Sequence, residues 1–169
     1  ETVLALQVND ARKALEETRA RGGQVVMEAK EFTDEKGSIV VSAIKTYGET
    51  IHKFVERKAY NGVFMPGYQP RKSTAPIRPV GLEYVDHCVG NVELGEMDEW
   101  VAFYEKVMGF SLLLTFDDKD ISTEYSALMS KVVSNGNGYV KFPINEPAEG
   151  LRKSQIDEYL EFYQGAGVQ

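Results

Sequence analysis

Apolar and polar positions along the chain switch between two periods. Thr2-Val3-Leu4-Ala5-Leu6-Gln7-Val8 reads as a strand already in progress. From residue 10 to 21 the spacing becomes helical, with Ala11, Ala14, Leu15 and Thr18 on one face. Asn9 or Asp10 can cap that helix, and Gly22-Gly23 can end it, because glycine takes a left-handed conformation without steric penalty. Gln24 to Ala29 reads as a short strand. Gly37 to Tyr47 is a longer one, with Ile39, Val41 and Ala43 at period two, and Thr50 to Arg57 returns after the turn at Tyr47-Gly48-Glu49. The predicted order is strand–helix–strand–strand–strand.

From Asn61 to Pro79 the pattern breaks. Pro66, Pro70, Pro76 and Pro79 fall here with Gly67, a density that excludes a helix interior or a central strand and predicts a linker. The first pattern then returns. Leu82 to Val89 reads as a strand. Met97 to Met108 reads as a helix with Met97, Trp100, Val101, Tyr104, Val107 and Met108 toward one side, ended by Gly109. Phe110 to Phe116 and Ile121 to Val133 read as strands. Asn135-Gly136-Asn137-Gly138 is a hairpin turn, and Tyr139 to Ile144 is the return strand, closed by Pro147. Ser154 can cap a last helix, Gln155 to Tyr163, with Ile156, Tyr159, Leu160 and Tyr163 inward. A unit repeated twice is the main organisational signal. The other reading is one α+β domain with two unrelated hairpins.

Composition narrows the function classes. With 43% apolar and 27% charged residues in 169, the chain can bury a core and is not disordered by composition. A net charge of −7 speaks against nucleic-acid or anionic-membrane partners. No apolar run reaches the roughly 20 residues that span a bilayer. The single cysteine, Cys88, excludes an intrachain disulfide and fits a reducing, cytoplasmic setting. His52 and His87 are the two histidines, so a site needing several histidines cannot be completed within these residues. The chain starts at Glu1, inside a strand, and stops at Gly165-Ala166-Gly167-Val168-Gln169, where a new strand would begin. Both ends are therefore expected to be cut from a longer protein.

Candidate chemistry is sparse. His87 lies in Tyr84-Val85-Asp86-His87-Cys88-Val89, on the expected strand, where a rigid backbone could offer neutral imidazole to a metal. Spacing sets no partner beside it, and a core or surface histidine is the commoner case. His52, between Ile51 and Lys53, reads as solvent-facing. Asp86, Glu93, Glu96, Asp98 and Glu99 are acidic around a helix start, where they favour the helix dipole. Asp117-Asp118-Lys119-Asp120 opens like a calcium loop but lacks its glycine and distant glutamate, so a solvated turn is expected. Asn135 to Gly138 has no following helix or lysine and is no phosphate loop. Residue patterns alone leave the function open.

A resemblance goes further. Val85-Asp86-His87-Cys88-Val89-Gly90-Asn91-Val92 is similar to a stretch of the 4-hydroxyphenylpyruvate dioxygenases, a family of the vicinal-oxygen-chelate superfamily. Further stretches agree in order and spacing. They are Trp100 to Phe110, Ser126 to Val133, Phe142-Pro143-Ile144-Asn145-Glu146-Pro147, and Lys153-Ser154-Gln155-Ile156 leading to Gly165–Gln169, with Tyr60 to Tyr68 upstream. The match runs over essentially the whole chain.

The resemblance implies an α+β fold of two βαβββ modules, vicinal-oxygen-chelate or glyoxalase-like, joined by a Pro-rich linker. Residues 1–62 would be the second module of an N-terminal domain, 63–80 the interdomain linker, and 81–169 the first module and following helix of a catalytic C-terminal domain. It implies conversion of 4-hydroxyphenylpyruvate and O2 to homogentisate and CO2 in tyrosine and phenylalanine catabolism, with non-haem Fe(II) as cofactor. His87 matches the family's first iron ligand, and the second histidine and the glutamate would follow Gln169. Ser130, Asn145, Gln155 and Gln169 match substrate-binding positions; no catalytic side chain is assigned. Neutral amides and a hydroxyl suit a phenol and an α-keto acid. The full-length protein is expected to be a homo-oligomer, and these residues alone to be inactive. The alternatives are hydroxymandelate synthase, disfavoured by Asn145, and a non-catalytic binding fragment.

Overall fold

A computed structural model describes residues 2–74, 78–116, 127–148 and 153–169. The first sheet holds β1 (Thr2–Gln7), β2 (Val25–Asp34), β3 (Gly37–Lys45) and β4 (Thr50–Glu56), in the order β1-β4-β3-β2. β1 is parallel to β4, and the other pairs are antiparallel. Helix α1 (Ala11–Ala20) crosses one face. Asp10 is extended, and its carboxylate accepts from the Lys13 backbone N–H at 2.8 Å, so the expected cap forms. Ala11 and Leu15 pack on Val40, Ile44 and Phe54. The Ser42 hydroxyl donates to the Ala11 carbonyl at 2.9 Å. Burying Leu15 contributes about 2 kcal/mol.

β2 runs five residues beyond the expected end at Ala29, to Asp34. It is an edge strand with alternate residues toward solvent, so Lys30 and Glu31 interrupt the apolar pattern without ending the strand.

The second sheet holds β5 (Gly90–Asn91), β6 (Ser111–Phe116), β7 (Ala127–Ser134), β8 (Lys141–Ala148) and β9 (Gly167–Val168), in the order β6-β7-β8-β5-β9. Helix α2 (Met97–Met108) buries Met97, Val101 and Tyr104 against Val133, Phe142 and Ile144, and Val107 against the cluster beneath α1. Gly109 ends it at φ 70°, as expected. Helix α3 (Gln155–Tyr163) begins with a reciprocal box between Ser154 and Asp157. Ile156 is buried, but Tyr163 stays at the surface. The expected turn at Asp117–Asp120 and the first part of the expected strand 121–133 lie outside the described residues.

One expected strand is not there. Of the stretch from Leu82, only Gly90–Asn91 joins the sheet, and residues 82–87 are exposed. The reason lies in β8. Gly90 pairs with Ile144 and Asn91 with Asn145 in parallel, and the Val92 N–H donates to the Asn145 carbonyl. The N–H groups of residues 143, 145 and 147 therefore face β5, and two of these residues are Pro143 and Pro147. Continuing the register backward puts Val89 against Pro143, which has no N–H for the Cys88 carbonyl. The same geometry explains why β8 runs through Pro147 instead of closing there. The missing donors face β5, so the ladder to β7 is intact from Leu128↔Pro147 to Ser134↔Lys141.

The two sheets share a core. Tyr47, at the β3–β4 turn, is buried among Val92, Met97, Val101 and Tyr104 and meets Trp100 edge-on at 5.7 Å. Phe103, Val107 and Met108 of α2 reach the cluster beneath α1. His52 is the clearest correction to the expected pattern. It is not solvent-facing but 0% exposed. Its Nε2 lies 2.8 Å from the Tyr104 hydroxyl, and its ring is 5.3 Å from Phe142. Leu4 opposite it in β1 is apolar, so His52 belongs to the inward face. Only the packing of α2 on that face makes this visible.

Candidate functional site

The face of the second sheet turned away from α2 forms the floor of a cleft of about 510 Å³. Alternation along β7 sends Met129 and Val133 toward α2 and Ser130 and Val132 toward the cleft. On β8, Phe142 and Ile144 face α2, while Pro143 and Asn145 face the cleft. Ser130 and Asn145 are direct cross-strand partners. Leu113, Leu114 and Phe116 of β6 give one wall, and Leu113 is the extra residue of a bulge between Leu112↔Val133 and Leu114↔Val132. His87 and Val89 close the other side.

The cleft therefore gathers three of the five site residues expected from sequence, namely His87, Ser130 and Asn145. Gln155, exposed in the first turn of α3, does not line it. Gln169 does not line it either, but is tied to the same sheet. Its backbone N–H donates to the Val89 carbonyl at 3.0 Å, and its Oε1 accepts from Asn91 Nδ2 at 2.7 Å.

His87 is not on a strand as expected. It is half-exposed, and its Nδ1 lies 2.9 Å from Asp86 Oδ2. Asp86 Oδ1 accepts from Lys141 Nζ at 2.6 Å. The Lys141 ammonium, and then His87, hold the Asp86 carboxyl below its usual range. A neutral His87 that donates from Nδ1 keeps its lone pair on Nε2, the arrangement of a histidine oriented for a metal. One imidazole fits as a single ligand and no more. Among the described residues no group of three His, Cys, Asp or Glu side chains could hold an ion.

Three contributors were not singled out by sequence. Lys141 anchors Asp86. Buried Glu146 accepts from the Gly95 and Met97 backbone N–H groups at 2.9 and 3.1 Å and so caps α2, a role expected of the acidic residues on the helix itself. Asn91 is 0% exposed beside Asn145.

Residues 84–167 match the family model described as the Glyoxalase/Bleomycin resistance protein/Dioxygenase superfamily. The chain as a whole is similar to proteins named 4-hydroxyphenylpyruvate dioxygenase. It is 45% identical over 170 residues to the one from Coccidioides posadasii, covering 98% of this chain and 43% of the relative. It is 44% identical over 171 residues to the one from Dictyostelium discoideum, covering 98% of this chain and 47% of the relative. The chain thus spans less than half the length of these curated relatives. Its fold is that of a solved mutant of 4-hydroxymandelate synthase from Streptomyces coelicolor, with a TM-score of 0.76 at 20% identity over 99% of this chain and 47% of that one. The fold is mixed α+β with two sheets, and no helix among the described residues is long and apolar enough to cross a membrane.

Proposed function

We propose that this chain is part of a 4-hydroxyphenylpyruvate dioxygenase, which converts 4-hydroxyphenylpyruvate and O2 to homogentisate and CO2. The supporting observation is identity of 40–45% to proteins of that name over 98% of the chain. In this reading residues 1–62 and 81–169 are βαβββ modules of two successive domains, and 63–80 link them. The repeated order strand–helix–strand–strand–strand supports this division.

His87 would supply one ligand to a non-haem Fe(II), and the other two ligands would come from outside these residues. Bound Fe(II) would supply Lewis-acid and redox chemistry toward the keto acid and O2. The chain's own residues do the rest of the binding. Ser130 and Asn145 offer neutral hydrogen-bonding groups on the cleft floor, and Leu113, Leu114 and Phe116 give an apolar wall for an aromatic ring. The resemblance adds Gln155 and Gln169 to this set, although neither lines the cleft within residues 1–169. A single ligand does not hold Fe(II) for turnover, so residues 1–169 alone are inactive.

The test is product analysis on the full-length protein with Fe(II), O2 and 4-hydroxyphenylpyruvate. Homogentisate supports the assignment. Hydroxymandelate makes the protein a synthase of the related kind, and no oxygen uptake removes the enzyme reading altogether.

A further inference from the structure

Four strands of the second sheet carry a row of positions on one face. Ser130 on β7 pairs with Asn145 on β8. Asn145 pairs with Asn91 on β5, and Asn91 with Gly167 on β9. Partners in register point to the same face. Gln169, two residues beyond Gly167, is on that face too, and the hydrogen bond from Asn91 reaches it there. Asn91 thus stands between two residues of the proposed pocket.

Its environment does not favour an amide on stability grounds. Asn91 is 0% exposed, and its Oδ1 is buried with no hydrogen-bond partner among the described residues. An amide buried with one oxygen unsatisfied is destabilising relative to an apolar side chain of similar volume. Its Nδ2 makes one side-chain contact, with Gln169 Oε1 at 2.7 Å. That contact has a chemical effect on Gln169. With Oε1 facing the Asn91 donor, Gln169 can turn its Nε2 hydrogens toward a ligand, and a ligand oxygen then finds a donor.

We infer that Asn91 is a positioning residue, which fixes the orientation of the Gln169 amide so that it meets an oxygen of the bound keto acid as a donor. This rests on the proposed function above. It extends that reading to a residue that touches no substrate.

The test is a double-mutant cycle in the full-length enzyme, with KM and kcat for 4-hydroxyphenylpyruvate as readouts. Asn91→Ala raises KM about tenfold and changes kcat by less than about threefold. In the Gln169→Ala background the same substitution changes KM by less than about twofold, because the residue it acts through is gone. Asn91→Asp keeps the volume and, if Asn91→Ala does not fold, carries the same cycle. A carboxylate accepts from Gln169 Nε2, reverses the amide and raises KM similarly. A tenfold effect that persists in the Gln169→Ala background, or a loss of thermal stability with KM unchanged, overturns the inference while leaving the enzyme reading intact. An unsubstituted parent that neither binds nor converts the keto acid overturns the reading itself, and the inference with it.

Discussion

His52 Nε2 and the Tyr104 hydroxyl lie 2.8 Å apart, one on the first sheet and the other on the helix that covers the second. The bond is buried. Burial pushes the His52 pKa down to about 4, against a smaller upward effect of the Leu4 carbonyl. An unfolded histidine titrates near 6.5, so between roughly pH 6.5 and 4 the unfolded chain takes up a proton that the folded chain refuses. Stability is therefore full above pH 6.5 and falls as the pH drops toward 4, by about 3 kcal/mol from this group. Urea midpoints measured across that range check it. His52→Gln should flatten the profile, and an unchanged slope in that variant would exclude His52 as the titrating group.

Tyr104→Phe removes only the hydroxyl. It leaves His52 Nε2 buried without its partner and should cost about 1–3 kcal/mol at neutral pH. Denaturant unfolding with unchanged m-value is the measurement. A neutral result would mean that water replaces the hydroxyl.

Gly90 is fixed by its neighbour and not by its own backbone angles. A Cβ placed there would lie 2.5 Å from the Tyr47 hydroxyl, and Tyr47 is fully buried. Gly90→Ala should destabilise by about 1–3 kcal/mol. The double variant with Tyr47→Phe should recover part of that loss, since the oxygen is the nearest atom.

Glu146 binds two N–H groups at the start of α2 although it lies on a neighbouring strand. Glu146→Ala should lower stability by about 1–2 kcal/mol, while Asp98→Ala, at the exposed side of the same turn, should stay within about 0.5 kcal/mol. Equal losses would place the capping charge on the helix instead.

On the proposed assignment, Asn145→Leu in the full-length protein keeps the strand and removes a cleft-facing amide. It should raise KM for 4-hydroxyphenylpyruvate about tenfold without aggregation or loss of fold. Steady-state oxygen uptake with a parallel circular-dichroism spectrum separates the two effects.

Helices were legible because their signals are local. Asp10, Gly109 and Ser154 mark ends that the structure reproduces, and the inward faces of α1 and α2 follow from spacing. The residues from Leu82 to Val89 look like a strand, but strand formation depends on the partner, and the partner presents prolines. His52 was misplaced for a similar reason. Lys53 beside it suggested solvent, while its true face is set by contact with Tyr104, 52 residues away in sequence. In the cleft, local pattern made Ser130 and Asn145 ordinary strand or turn residues. The resemblance picked them out, and the sheet register sets them side by side. Asn91 escaped both routes, since its importance lies in a contact 78 residues away.

The prolines of β8 have a consequence for His87. The chain that carries it is held to the sheet at Gly90–Asn91, by the Gln169 N–H on the Val89 carbonyl, and again where Asp86 meets Lys141. Among the described residues no β-ladder runs from Asp86 to Val89. The place of His87 at the cleft therefore depends on the Asp86–Lys141 pair, whereas Ser130 and Asn145 are set by the sheet register.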